Sequence, residues 1–222
     1  MRHSTFYCVG VVLLALSSTA NANTFRFDTD PFAGTDVLNV PGRQIVGGED
    51  FISFSIATDV FSLESNVFRV GSNVDFVNAP VSDLPATGVN VVVLQSIDDD
   101  NNPLTPFGAG NAANLIAGKI TTPGAGFFIY FNQALDLPRL VYSTDLSSES
   151  ADLKILARIL NLNGAEGRNL LPTFTAPNFT ITTTAAAVPE PFSAFLTLPA
   201  LGVLCCYVRR RSRLTNRKRA EQ

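Results

Sequence analysis

The chain has 222 residues, of which 46% are hydrophobic and 16% charged, and a formal net charge of −3. The charge is unevenly placed: residues 23–187 hold eight basic residues against 17 acidic ones, a net of −9. A surface that acidic repels phosphate backbones, which excludes nucleic acid as a partner.

The N-terminus reads as a secretory signal peptide. Arg2 and His3 form a positive start, residues 6–16 an apolar stretch, and Ala20-Asn21-Ala22 an A-x-A cleavage site. Residues 1–22 are therefore expected to be removed, which makes Asn23 the first mature residue. His3 is the only histidine and leaves with them. The three cysteines, Cys8, Cys205 and Cys206, also lie outside residues 23–187, so the exported domain has no disulfide although it enters an oxidising compartment. Lacking imidazole and thiol, that domain cannot build a Ser-His-Asp triad, a thiolate nucleophile or the usual zinc site. Carboxylate-pair glycan hydrolysis stays formally open, because it needs only two acids at the right separation, one with a raised pKa. The acids do not advertise it: Asp28, Asp30, Asp36, Glu49, Asp50 and Asp59 sit beside turn residues, where solvated carboxylates are ordinary.

Residues 23–187 are expected to make one domain. Short apolar runs alternate there with Gly, Pro, Asn and Asp, the rhythm of an all-β fold. The predicted strands are 24–27, 50–57, 67–70, 89–96, 114–121, 126–131, 139–144, 152–162 and 178–184, and nine strands suit an antiparallel, jelly-roll-like β-sandwich. The segment 152–162 is ambiguous, since Leu153, Leu156, Ala157 and Leu160 also fit one face of a helix. A strand is preferred because 139–144 has strong β character and Ser147-Ser148-Glu149-Ser150 makes a plausible loop between paired strands. Most of the phenylalanines, 14 of the domain's 16 aromatics, are expected in the core.

Asp98-Asp99-Asp100-Asn101-Asn102 is the densest cluster of hard oxygen ligands and is the candidate calcium site. It departs from an EF-hand, with Pro103 where that loop has Gly and Ala109 where it has Glu. The alternative is a solvated connection. Gly108-Ala109-Gly110-Asn111-Ala112-Ala113 carries the letters of a dinucleotide fingerprint, but Pro103 and Pro106 precede it where a buried parallel strand and tight turn are needed. Asn178-Phe179-Thr180 has the form of a glycosylation sequon.

The C-terminus carries the sharpest signal. Val188, Pro189, Glu190 and Pro191 precede a 17-residue apolar run, 192–208, followed by Arg209, Arg210, Arg211 and Arg213. Seventeen helical residues span roughly 26 Å, close to the hydrocarbon thickness of a bilayer. The arginines hold their flank, with the basic tail 214–222, in the cytoplasm. Motif, helix and arginine stop together, over 188–213, resemble the PEP-CTERM sorting signal of exopolysaccharide-producing Gram-negative bacteria. That resemblance implies processing near the motif by exosortase, an integral-membrane transpeptidase-like enzyme, after transient residence in the inner membrane. It also implies delivery to the cell surface or the extracellular matrix, and leaves the cargo's own activity open. A structural or adhesive role without catalysis is the expectation, with a glycan- or calcium-binding module and a carboxylate-dependent glycan hydrolase as the alternatives.

Overall fold

Two continuously apolar runs, Val91-Val92-Val93-Leu94 and Phe127 to Phe131, have no polar face to give to water, and they form the covered centre of the larger of two sheets. The computed structural model describes residues 22–102 and 104–183. In chain order these form β1 (Thr24–Phe27), β2 (Ile45–Val46), β3 (Asp50–Ile52), β4 (Val60–Glu64), α1 (Ser65–Phe68), β5 (Phe76–Ala79), β6 (Val91–Leu94), α2 (Ala109–Ala117), β7 (Gly126–Asn132), β8 (Leu137–Ser143), β9 (Leu153–Ile159), α3 (Gly164–Leu170) and β10 (Phe179–Thr182). The domain is mostly sheet, as its sequence implies, with a few short helices that the all-β expectation did not include.

The expected antiparallel, jelly-roll-like pairing is corrected. The large sheet runs β2-β9-β8-β7-β6-β5, with β3 also on β9, and the small sheet runs β1-β4-β10. Among the described residues only β7/β8 and β8/β9 are antiparallel; β1/β4, β10/β4, β2/β9, β3/β9, β5/β6 and β6/β7 are parallel. Connection length accounts for the difference. Strands β7, β8 and β9 are joined by short loops that return the chain beside itself, whereas β6 reaches β7 by a long crossover through α2, and a crossover is what a parallel pair requires.

Period-two alternation divides the large sheet's side chains between two cores. Val91, Val93, Phe127, Ile129, Leu140 and Tyr142 share a core with Phe27, Phe61, Leu63 and Phe179 of the small sheet. Val92, Leu94, Phe128, Tyr130 and Val141 instead meet Ala109, Ala112, Ala113 and Ile116 of α2. Phe54 lies between the sheets, stacked on Phe61 at 4.2 Å between ring centroids. Phe54, Phe61, Phe68, Phe107, Phe127, Phe128 and Phe131 are all fully buried, and each such side chain contributes about 1.5 to 3 kcal/mol by leaving water. A chain without disulfides between residues 23 and 187 draws its stability from these rings.

Three predicted elements differ from the observed ones. Residues 114–121, read as a strand, are instead the last four residues of α2 and the turn after it, and the buried Ala109, Ala112, Ala113 and Ile116 of that helix follow helical spacing. Residues 67–70, also read as a strand, lie in α1 and its left-handed C-cap Arg69 (φ 53°), and the strand is β4 just before them. The strand expected over 50–57 ends at Ile52 because Phe54 gives its N–H to the Asn161 side chain and Ser55 gives its N–H to Asp59. The ambiguous segment 152–162 is strand β9. Leu140 pairs with Ala157 and Val141 with Ile155, so Leu156 is an extra, unpaired residue. This bulge turns the odd-numbered residues over, from the core with α2 at Leu153 and Ile155 to the core with the small sheet at Ala157 and Ile159. The helix-like spacing of Leu153, Leu156 and Ala157 is the signature of that slip.

Candidate functional site

The sorting motif Val188, Pro189, Glu190 and Pro191, the apolar run 192–208, the arginines Arg209, Arg210, Arg211 and Arg213, and residues 1–21 of the signal peptide lie outside the described residues. Among the described residues, no helix is long and apolar enough to cross a membrane.

Asp98, Asp99 and Asp100 do converge, each offering an oxygen within 4.8 Å of the others. Their lone pairs are partly spent. Asp98 Oδ1 accepts the N–H groups of Asp100 and Asn101, both at 3.0 Å, and Asp100 Oδ1 accepts that of Asn102 at 2.9 Å. Asp99 Oδ2 takes the Asn111 side-chain amide at 2.8 Å, which ties the loop to the first turn of α2. The Asn102 N–H is the main cause that lowers the Asp100 pKa, so that carboxylate is stabilised as an anion without a metal. Three side-chain oxygens are about half of what a calcium ion takes.

The helix that a dinucleotide fingerprint would need does follow Gly108. However, the chain takes residues 95–108 to pass from β6 to α2 instead of a tight turn. The N–H of Gly108 is already given to Asn111 Oδ1 at 3.1 Å. The geometry for a phosphate is not assembled there.

Of the carboxylates that the sequence places beside turns, Asp59 is buried and Glu49 is half-buried with a shielded side chain, and the expectation of solvated groups is corrected for both. Glu49 follows Gly47-Gly48, where Gly48 adopts φ +85°, and enters β3 with its side chain only 7% exposed. Its Oε1 accepts from Arg158 Nε at 2.6 Å and from Arg139 Nη2. Burial by itself would raise the Glu49 pKa. Its own backbone N–H and the two guanidinium groups outweigh that and hold it at about 2, against an ordinary 4.5. Arg158 also lies over the exposed ring of Phe51, 5.1 Å from its centroid.

Asp59 is 1% exposed. Its Oδ1 accepts the backbone N–H of Asn23 at 2.9 Å and the Thr58 hydroxyl at 3.1 Å, and its Oδ2 accepts the N–H of Ser55 at 2.9 Å. Burial again pushes the pKa up, but the Ser55 and Asn23 N–H groups lead a set of donors that lowers it overall. Asn178, also buried, donates from Nδ2 to the carbonyls of Ile56 at 2.7 Å and Asp59 at 3.1 Å. Asn23, Asp59 and Asn178 are the residues immediately before β1, β4 and β10. The three parallel strands of the small sheet thus start from one polar knot, and the Asn178 amide of the sequon is consumed in it.

These positions bear on chemistry. A glycosidase acid needs its pKa raised, whereas Glu49 and Asp59 are both lowered. Tyr142, at the wall of a groove with Asp30, Phe32 and Arg69, donates its hydroxyl to the Phe68 carbonyl at 2.9 Å and is pushed up to about 12 by burial. It is thus held as a neutral donor. Sequence reasoning missed the Glu49–Arg139–Arg158 cluster and the Asp59 knot because their members are far apart in the chain. The available signal was Gly47-Gly48 next to an acid, a turn able to aim a carboxylate inward.

What the described residues assemble is a mixed-sheet domain whose buried charges hold strands to one another. Compared with protein-family models, curated proteins and solved structures, the chain gives no match.

Proposed function

We propose that the chain is an exported protein of the cell envelope or exopolysaccharide matrix, with a structural or adhesive rather than catalytic role. In this reading the signal peptide is cut after Ala22 and the chain halts in the inner membrane through residues 192–208. An exosortase-type enzyme then processes it near Val188-Pro189-Glu190-Pro191. The observation that carries the reading is the order of motif, apolar run and arginine stop at the C-terminus. The domain is read as a variant sandwich, its two sheets closed on one phenylalanine-rich core, and β10 ends at Thr182, six residues before the motif. The spacer 183–187, of Thr and Ala, leaves the motif accessible to a membrane enzyme.

The test replaces Pro189, Glu190 and Pro191 by alanine in the producing cell. An uncut species retained in the inner membrane is expected, read by fractionation and mass measurement. Normal release of a shortened chain from the triple variant would overturn the sorting proposal.

A further inference from the structure

We propose that cleavage after Ala22 creates an ion pair, in which the new α-ammonium of Asn23 docks on the buried carboxylate of Asp59 and locks the small sheet in the processed protein. The inference rests on the signal-peptide reading and goes beyond it by giving the first mature residue a structural task. Asp59 is an unusual group: a 1% exposed carboxylate whose side-chain donors among the described residues are neutral, namely the N–H groups of Asn23 and Ser55, the Thr58 hydroxyl and the Asn23 side-chain amide. A carboxylate taken out of water gains most from a full positive charge. The Asn23 nitrogen already stands 2.9 Å from Oδ1. Hydrolysis of the Ala22–Asn23 peptide would place such a charge there without moving an atom of the fold. Water gives its hydroxyl to the Ala22 carbonyl carbon as the C–N bond breaks, and the departing nitrogen ends with three protons as an ammonium, leaving Ala22 as a carboxylate. At neutral pH an α-amine is mostly protonated even without a partner.

The backbone is arranged for this. Val60 donates its N–H to the Asn23 carbonyl at 3.0 Å, so the residue is held from its other side as well. Ala22 and Asn23 are exposed while Asp59 is buried, so the scissile bond lies at the surface and its acceptor beneath. Because β1 is an edge of the small sheet and pairs with β4 from Thr24 opposite Val60 onward, a charge pair at this point fastens the strand at its first residue. An uncut precursor has the hydrogen bond but not the charge.

The experiment compares chains that all end at Gln222 in the same detergent, one beginning at Asn23 and one beginning at Ala22, each also as Asp59→Asn. The longer chain keeps the N–H to Asp59 and moves the charge one residue away. The chain beginning at Asn23 is expected to melt about 5 °C higher than the one beginning at Ala22, and Asp59→Asn should abolish the gap. Should Asp59→Asn fail to fold, reductive methylation of the α-amine, followed by mass spectrometry, decides the matter. The Asn23 amine should react at least about tenfold more slowly than the Ala22 amine, because its lone pair is held protonated against the carboxylate. Equal melting and equal labelling would overturn the ion pair. The mass of the native N-terminus, taken from the producing cell, tests the export reading separately. A first residue other than Asn23 overturns that reading, and with it the processing proposal, whatever the melting data show.

Discussion

Arg139 and Arg158 face each other directly across β8 and β9, and a single oxygen, Oε1 of Glu49, accepts from both. Two like charges at a cross-strand position repel, so the sheet tolerates this pair only while the carboxylate is present. Glu49→Gln keeps the shape and removes the charge. It should cost about 2 to 3 kcal/mol in urea unfolding, since it leaves two partly buried cations opposed. An unchanged midpoint would show that solvent screens the arginines adequately by itself.

Acid should act through the same group. The folded-state pKa of Glu49, about 2, lies below its ordinary 4.5. The unfolded chain therefore binds its proton first as pH falls. The stability that Glu49 contributes is fully present above about pH 4.5 and is lost as pH drops from there towards 2. The difference between wild type and Glu49→Gln, measured by urea unfolding at pH 6 and again near pH 3, should shrink. A gap independent of pH would contradict the assignment. Asp59, also lowered, adds to the wild-type acid sensitivity with the same sign and is common to both proteins.

Asn178 should be among the costly polar positions. Asn178→Ala strands the carbonyls of Ile56 and Asp59 and the N–H of Thr175, for a loss of about 2 to 4 kcal/mol. Asn178→Asp should be worse, because it sets a carboxylate where two carbonyl oxygens expect a donor. Denaturant titration of the two variants gives the order directly, and the reverse order would sink the account of the knot.

The cluster Asp98, Asp99 and Asp100 should not stabilise the fold through calcium. A site with a dissociation constant of roughly 10⁻⁴ to 10⁻³ M would add about 0.4 to 1.4 kcal/mol at millimolar calcium. With Asp98 Oδ1 and Asp100 Oδ1 already engaged by N–H groups and Asp99 Oδ2 by the Asn111 amide, we expect no calcium-dependent rise in melting temperature that vanishes when all three become Asn. A rise of several degrees abolished by that change would establish a site.

The sheet-rich character was legible because β1, β6, β7, β8, β9 and β10 are each short apolar runs bounded by turn residues. Pairing direction was not. It depends on where crossovers pass, and the spacing between apolar runs does not record whether a helix in between lies against the sheet. The pattern Ala109, Ala112, Ala113, Ile116 is visible in the sequence, but a strand starting at Asn114 separates Ile116 from the other three. Leu156 shows the opposite difficulty, since one bulged residue imitates a helical period. Glu49 and Asp59 were misjudged for a general reason: local sequence shows the turn beside an acid, while burial is decided by partners a hundred residues away, such as Arg158 for Glu49.

The parallel course of β1, β4 and β10 has a mechanical meaning. All three strands leave the Asn23–Asp59–Asn178 knot in one direction, so the chain beyond Thr183 continues from the end of the small sheet opposite that knot. Tension carried along that chain pulls β10 lengthwise against β4. Its ladder bonds are then loaded together in shear rather than peeled one at a time, and the Asn178 amide sits at the far end as a stop. Under the proposed retention by the C-terminal signal, such a load would be resisted by the whole register of β10 on β4.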